Sequence, residues 1–288
     1  DVIYTANFGH STHLMAQIAE ALGRMEDAAA YRDLFARIRH AFQAAYVRPD
    51  GTIKGDSQAA YALAIVYDLL EPDQQTRAAA HLIRRIEECS GHLSTGFLGT
   101  KDLMLALAKI NRNDVAYQLL HNDTFPSWGF TIKNGATSIW ERWNGWTPEA
   151  GFADPGMNSF AHYSFGAVGQ WMFENIGGIR TDGPGFKQII IHPQPGGKLT
   201  RAKTSYHSIH GLILSHWEIA DGRLLLNVAI PPNTTAAVFV PYGDPKRIFE
   251  SGVMAQNSDC VKLLRQEEKY TVYHVESGHY QFDSPWEQ

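Results

Sequence analysis

The 288-residue sequence predicts a mainly helical domain followed by an antiparallel β-sandwich. Apolar residues recur at helical spacing in the first part, where segments apolar all round alternate with segments apolar on one side. In the second part the apolar runs are short, rich in β-branched residues and separated by turn residues. The alternation of helices predicts concentric layers of helical hairpins, an α/α toroid. We therefore expect two domains, residues 1–177 and 178–288.

The first predicted helix has an N-terminal cap and a stop signal. Ser11 is a preferred capping residue, and Gly23 is a common residue just past a helix end. Between them, Leu14, Ile18 and Leu22 fall on one side of the helix. The next helix, from about residue 26 to residue 46, has one apolar face, and its charged residues lie elsewhere.

The later helices continue the alternation. Asp56 or Ser57 is expected to cap the segment AAYALAIVYDLL, which is apolar on nearly every side, and the helix after Pro72 has two faces. DLMLALAKI is again apolar throughout, DVAYQLL is two-faced, and a last helix is expected from Asn158 to Ile176. About seven helices are too few to close both rings of such a toroid, so the toroid is expected to be incomplete at its N-terminal side.

The second domain is predicted from short strands and tight turns. Runs such as LILSHWEIA and RLLLNVAIP are separated by Asp221-Gly222, a dipeptide typical of two-residue hairpins. Several such strands at close intervals indicate an antiparallel sandwich. Its scattered histidines lack a ligand spacing, and we interpret them as ordinary half-buried residues.

Composition narrows the function classes. The formal charge of −5 comes without a basic stripe, so no nucleic-acid partner is expected. No apolar run approaches the roughly 20 residues that a membrane span needs. Cys89 and Cys260 lie in no metal-ligand spacing, and neither a metal nor a cofactor is expected. The starting residue Asp1 leaves the cellular compartment open.

The segment Pro126–Gly166 holds the most informative chemistry. Glu141 stands among tryptophans in WERW, where apolar rings can exclude water and make the ionisation of a carboxylate adjustable. An inverting glycoside hydrolase needs such a carboxylate as a general base, roughly 6.5 to 9.5 Å from its acid. Trp143 can shield this base, and Trp128 can stack on an apolar sugar face. The alternative is that TSIWERW starts a helix with core tryptophans, and these residues alone do not separate the two readings.

Two histidines are weaker candidates. His162, expected on the helix that begins near Asn158, can bind a sugar hydroxyl or orient the base. His92, in the loop SGHLSTGFLGT, can line a pocket together with Thr95 and Gly96, although a simple turn is the more common role of the polar residues in such a loop. Glu149 and Asp154 lie in a Pro- and Gly-flanked loop, where acids are common surface residues, and they rank below Glu141.

The sequence resembles the bacterial α-L-rhamnosidases of glycoside hydrolase family 78. The matching segments are FGHSTHLMAQIAEALG, GHLSTGFLGT, PSWGFTIKNGATSIWERWNGW, MNSFAHYSFGAVGQWMFENIGGI and PGFKQIIIHPQP, in the family's order along nearly the whole chain. The resemblance implies an (α/α)6 barrel followed by a β-sandwich. It also implies that Glu141 is the general base, that His162 binds the sugar, and that rhamnose-containing glycosides are the substrates.

The resemblance also implies which catalytic residue this sequence lacks. The family's general acid is a glutamate of an acidic, arginine-containing motif in the first half of the barrel, and no glutamate here matches that motif. We therefore expect a C-terminal part of such an enzyme, close to inactive by itself and prone to self-association. The alternatives are a phosphorylase or lyase built on an α/α barrel, and a non-catalytic carbohydrate-binding protein. Turnover that depends on phosphate would identify a phosphorylase, and an unsaturated product would identify a lyase. Binding without turnover would identify a carbohydrate-binding protein.

Overall fold

The computed structural model describes residues 1–286 and divides the chain into two compact units, Asp1–Val168 and the part from Gly169 onward. The first unit is helical and the second is built of two packed sheets, which confirms the predicted fold class. The helices of eight or more residues are α1 (Val2–Ala21), α2 (Met25–Tyr46), α3 (Gln58–Val66), α4 (Pro72–Glu88), α5 (Phe97–Lys109) and α6 (Asn113–His121). Two shorter ones follow, α7 (Trp128–Lys133) and α8 (Val168–Trp171). None of these helices is both long enough and apolar enough to cross a bilayer.

Helices α3 and α5 form the buried centre of the first unit. Ser57 caps α3, since its side chain accepts a hydrogen bond from the backbone N–H of Ala60, as predicted. The two helices approach closely at Gly99, because a Cβ atom there would lie 2.5 Å from the Cβ of Ala59. Helix α4 buries only Leu82, Ile86 and Ala78, so it is two-faced as its sequence indicates.

Helix α1 differs from the prediction at its start. It begins at Val2, and Ser11 lies inside it, where the Ser11 hydroxyl donates to the carbonyl of Phe8. The prediction that Ser11 caps this helix is therefore wrong. The helix contacts its neighbours through small residues such as Gly9, while large apolar side chains, including Phe8 and Ile18, are exposed.

The predicted helix from Asn158 to Ile176 is also wrong in its first part. Residues 158–163 contain no helix; a 3₁₀ turn covers Ser164–Ala167, then α8 follows, and a π-helical turn covers Met172–Ile176. The non-helical part is held by hydrogen bonds to residues 138–145, which satisfy its backbone groups in an extended form. The segment TSIWERW is not helical either, so the alternative that it starts a helix is wrong as well.

The strands of the second unit form two sheets. Their bounds are β3 (Ile179–Thr181), β4 (Gln188–Ile191), β5 (Arg201–Ser208), β6 (Gly211–Ala220), β7 (Arg223–Ile230), β8 (Thr235–Val240), β9 (Phe249–Glu250), β10 (Val253–Met254), β11 (Val261–Gln266), β12 (Thr271–Val275) and β13 (Gly278–Pro285). The strands β1 (Trp146–Thr147) and β2 (Gly151–Phe152) form a small hairpin in the first unit. The orders are β10-β9-β13-β7-β6-β5 and β11-β12-β8-β4-β3.

The pairing in these sheets is antiparallel except between β4 and β8, which run parallel. Asp221 and Gly222 both have positive φ and close the β6–β7 hairpin, as their sequence predicts. Inward-facing side chains such as Trp217, Phe282 and Tyr273 are buried between the sheets and form the core of the second unit.

Candidate active site

Residues 138–162 form an irregular hairpin, here called the site hairpin. Strands β1 and β2 pair near its tip, and the N–H of Ala153 donates to the carbonyl of Gly145 at 3.0 Å. Further along, the N–H of His162 donates to the carbonyl of Ile139 at 2.9 Å. The hairpin therefore brings the two predicted site residues, Glu141 and His162, onto facing segments.

Glu141 is held by its main chain and by one oxygen of its side chain. Its N–H donates to the carbonyl of Ser159 at 2.9 Å, and the N–H of Ser159 donates to Oε2 of the carboxylate at 2.8 Å. The other oxygen, Oε1, lies 4.0 Å from Nε2 of His162. The Glu141 side chain is 17% exposed, so its carboxylate is largely shielded from water yet accessible from one side.

A main-chain hydrogen bond and two neighbouring rings orient His162. The N–H of Ser164 donates to Nδ1 at 3.4 Å, so the neutral ring carries its proton on Nε2, the nitrogen that faces Glu141. The ring lies beside Phe97 and parallel to Tyr163, with ring centres 5.6 Å apart in both pairs. Nε2 is therefore a hydrogen-bond donor aimed toward the carboxylate.

Stacked aromatic rings support the site hairpin. Trp143 stacks on Phe165 with ring centres 3.8 Å apart, and its indole N–H donates to the carbonyl of Thr95 at 2.9 Å. Trp128 meets the edge of Trp143 at 5.3 Å and donates its own N–H to the carbonyl of Phe165. These contacts fix Trp143 next to Glu141 and leave Trp128 behind it.

A cavity of about 550 Å³ opens beside Glu141. It is lined by residues 94–99 at the start of α5, residues 125–126, residues 141–144, and single residues from other segments: Ile3, Ala59, Met157 and Phe165. The volume lies in the range of small-molecule sites, and the walls are mostly apolar with few polar groups, as is usual for such sites. Glu141 and Arg142 are the charged residues among those that line it.

The other predicted site residues lie around this cavity in different ways. Trp143, Thr95 and Gly96 line it as expected. His162, Trp128 and His92 do not line it. Nε2 of His92 contacts the hydroxyl of Thr124 at 2.7 Å, and its Nδ1 contacts the carbonyl of Ser90 at 3.0 Å. Both histidine nitrogens are thus occupied within the protein.

Sequence reasoning missed several lining residues. Leu98, Phe125 and Met157 are apolar side chains about half exposed at the cavity, and Asn144 adds an amide. Apolar residues carry no chemical signal in a sequence, although Leu98 lies in the loop SGHLSTGFLGT, for which lining a pocket is one of the two predicted roles. Asn144 directly follows WERW, and its position there is the one available hint.

Asp102 is a second buried acid in the first unit. It is on α5, and its Oδ2 accepts a hydrogen bond from the hydroxyl of Tyr67 at 3.0 Å. Burial raises the pKa of this carboxyl above its usual value, with Lys101, Tyr67 and His10 acting in the opposite direction. Asp102 does not line the cavity. Among the described residues, no group of three or more His, Cys, Asp or Glu side chains can hold a metal ion.

Comparison with known protein families gives two matches along the chain. Residues 1–176 match the family described as bacterial alpha-L-rhamnosidase 6 hairpin glycosidase domain, and residues 178–255 match the bacterial alpha-L-rhamnosidase C-terminal domain. Among curated proteins, the chain is 46% identical over 283 residues to an alpha-L-rhamnosidase of Streptomyces avermitilis, covering 98% of this chain and 26% of the relative. It is 38% identical over 287 residues to one of Formosa agariphila, covering 99% of this chain and 31% of the relative.

Solved structures agree with these sequence matches. The S. avermitilis alpha-L-rhamnosidase complexed with L-rhamnose superposes with a TM-score of 0.92 at 44% identity, over 98% of this chain and 26% of that one. The native enzyme of Aspergillus terreus superposes with a TM-score of 0.83 at 30% identity, over 97% of this chain and 30% of that one. The chain thus spans roughly a quarter to a third of the length of these relatives.

Proposed function

The chain belongs to the bacterial α-L-rhamnosidase family, and on that premise we propose that it carries the general-base half of an active site that removes terminal L-rhamnose from rhamnose-containing glycosides. The observation that carries this proposal is the pair Glu141 and His162, which face each other across 4.0 Å beside a cavity of about 550 Å³. A relative's complex with L-rhamnose supports the choice of sugar.

Glu141 acts as the general base of an inverting hydrolysis. Its Oε1 accepts a proton from water while the water oxygen bonds to the anomeric carbon of rhamnose. The bond from that carbon to the leaving-group oxygen breaks, and a carboxylic acid on the other side of the sugar protonates that oxygen. No described residue of this chain is assigned the role of that acid.

The cavity walls fit a deoxy sugar. Rhamnose carries a methyl group where most hexoses carry a hydroxymethyl group, and apolar residues such as Phe165 and Leu98 surround much of the cavity. His162 donates a hydrogen bond to a sugar hydroxyl or to the attacking water, and Trp143 contributes an apolar wall. Trp128, His92 and His162 do not line the cavity, and His162 is included in the proposed site because its Nε2 lies 4.0 Å from Oε1 of Glu141. Trp128 and His92 stay predictions as sugar-binding residues.

We also place the boundary between the catalytic domain and the C-terminal domain at residues 177 and 178. The two family matches end at residue 176 and begin at residue 178, which supports this boundary. The compact units divide earlier, between Val168 and Gly169, within helix α8.

The test measures rhamnose release from an aryl α-L-rhamnoside by the full-length gene product and by its Glu141→Gln variant. Loss of a general base is expected to lower kcat by roughly 10²-fold or more. Glu149→Gln is the matched control, because Glu149 is an exposed acid on the same hairpin, and its activity should match the wild type. Wild-type activity in the Glu141→Gln protein would refute the assignment. Release of the inverted anomer, observed by NMR before mutarotation, checks the stereochemistry.

A further inference from the structure

The two oxygens of the Glu141 carboxylate have different surroundings. Oε2 accepts the N–H of Ser159 at 2.8 Å, a distance typical of a strong hydrogen bond to a charged acceptor. Oε1 has no hydrogen bond from the described residues and lies 4.0 Å from Nε2 of His162. The two oxygens are therefore not interchangeable in the site.

The contact from Ser159 involves its main chain and not its hydroxyl. The Ser159 hydroxyl oxygen accepts the N–H of Ala161 at 3.2 Å, within its own loop. At the same time the carbonyl of Ser159 accepts the N–H of Glu141 at 2.9 Å. Glu141 and Ser159 thus exchange two hydrogen bonds: the backbone N–H of Glu141 donates one, and the side chain of Glu141 accepts the other.

The loop that presents this N–H is itself fixed. The side-chain amide of Asn158 donates to the carbonyl of Gly145 at 2.9 Å, which ties the two segments of the site hairpin one residue before Ser159. Gly145 leaves room for this contact, because a Cβ atom there would lie 2.9 Å from Oδ1 of Asn158. The Ser159 N–H is therefore held in position before any substrate binds, as preorganised groups in active sites are.

We propose that the main-chain N–H of Ser159 is a positioning group for the general base: it binds Oε2, fixes the carboxylate plane and leaves Oε1 as the oxygen that accepts the proton from water. This inference rests on the proposed function, since it takes Glu141 as the base. It follows that position 159 tolerates any residue that keeps an N–H at this place, and that proline is the exception.

The experiment compares Ser159→Pro with Ser159→Ala in the full-length gene product. Proline lacks the N–H, whereas alanine keeps it and removes only the hydroxyl. We expect kcat of Ser159→Pro to decrease roughly tenfold or more, with KM within about twofold, because a misplaced base slows the chemical step without weakening sugar binding. Ser159→Ala should keep kcat within about twofold of the wild type.

A second measurement covers the case in which Ser159→Pro disturbs the loop. In protein labelled with ¹⁵N-serine, the amide proton of Ser159 should shift more than that of any other serine when Glu141 is replaced by Gln, because its acceptor loses a full charge. An unmoved Ser159 resonance, or an unchanged kcat in a folded Ser159→Pro protein, would overturn the positioning role. If Glu141→Gln keeps wild-type activity, the proposed function itself fails, whatever the Ser159 resonance does.

Discussion

Oε1 of Glu141 and Nε2 of His162 lie 4.0 Å apart, too far for a direct hydrogen bond and close enough for one oxygen atom to contact both. A water molecule or sugar hydroxyl at this place can donate to the carboxylate and accept from the imidazole. The separation therefore defines where the proposed base and the proposed sugar-binding histidine act together.

This geometry predicts different effects for two amide substitutions of His162. The side-chain nitrogen of glutamine can reach the place of Nε2, whereas that of asparagine reaches only the place of Nδ1. We expect His162→Asn to lose roughly tenfold or more in kcat/KM, the effect of one lost hydrogen bond, and His162→Gln to lose less. Equal losses in the two variants, measured with an aryl α-L-rhamnoside, would show that the Nε2 donor does not matter.

The close approach of α3 and α5 at Gly99 predicts a packing defect. In Gly99→Ala the added Cβ atom would lie 2.5 Å from the Cβ and 3.1 Å from the Cα of Ala59, so the two helices must separate. We expect a loss of about 1–3 kcal/mol in the free energy of unfolding, the usual effect of overpacking. Denaturant unfolding measures this loss.

Two further variants test the cause of that loss. Gly169→Ala adds the same atom to another helix where nothing lies within 4 Å, and it should not destabilise the protein. Adding Ala59→Gly to Gly99→Ala removes the closest contact and should recover part of the stability. If the double variant is no more stable than Gly99→Ala, the Ala59 side chain is not the obstacle.

The sequence predicted the parts of the molecule that depend on short-range signals. Ser57 caps α3 and Asp221-Gly222 closes a hairpin because these residue types satisfy backbone requirements within a few residues. The same reasoning failed at Ser11, because the residues before it also form a helix and its hydroxyl bonds back to Phe8 instead. A capping residue indicates a helix start only where the preceding segment is not helical.

The site depends on contacts between distant residues. The aromatic neighbours of Glu141 predict a site there. Its hydrogen bond to Ser159, however, joins residues 18 positions apart through the main chain of Ser159, which no side-chain pattern reveals. The same contacts keep residues 158–163 out of the helix that their spacing predicts. Which oxygen of Glu141 faces His162 therefore follows only from the folded hairpin.

In the second unit, His192 predicts a loss of stability in acid. Burial lowers its pKa to about 3, helped by Arg180 and Arg265, and Arg180 donates to its Nδ1 at 2.7 Å. The unfolded chain gains a proton near the ordinary histidine value of 6.5, and the folded protein gains it only near 3. The free energy of unfolding should therefore decrease as pH falls from 6.5 toward 3, by about 1.4 kcal/mol per pH unit from this residue.

Replacing His192 isolates this contribution. In His192→Asn the amide oxygen can still accept a hydrogen bond from Arg180, but the side chain no longer titrates. Between pH 7 and pH 4 the free energy of unfolding of the variant should therefore decrease less than that of the wild type. His274→Asn is the control, because His274 lies on β12, in the sheet whose strand β4 ends just before His192, and pairs with Glu276 at 3.1 Å. Thermal or denaturant unfolding measures the free energy of unfolding of both proteins. If the difference between His192→Asn and the wild type stays constant across this pH range, His192 is not the cause of the acid sensitivity.

The exposed side of α1 predicts self-association of this chain when it is expressed by itself. Tyr4, Phe8 and Ile18 on α1, and Leu22 directly after it, are each more than half exposed. A continuous apolar surface of this kind is usually covered by another protein surface, because its exposure to water is unfavourable.

Sedimentation velocity should therefore show dimers or larger species, and the double variant Ile18→Lys, Leu22→Lys should shift them toward monomer. Ile209→Lys, which replaces an exposed apolar residue in the second unit, should leave the distribution unchanged. A wild-type chain that sediments as a monomer at tens of micromolar would show that this face alone does not drive association.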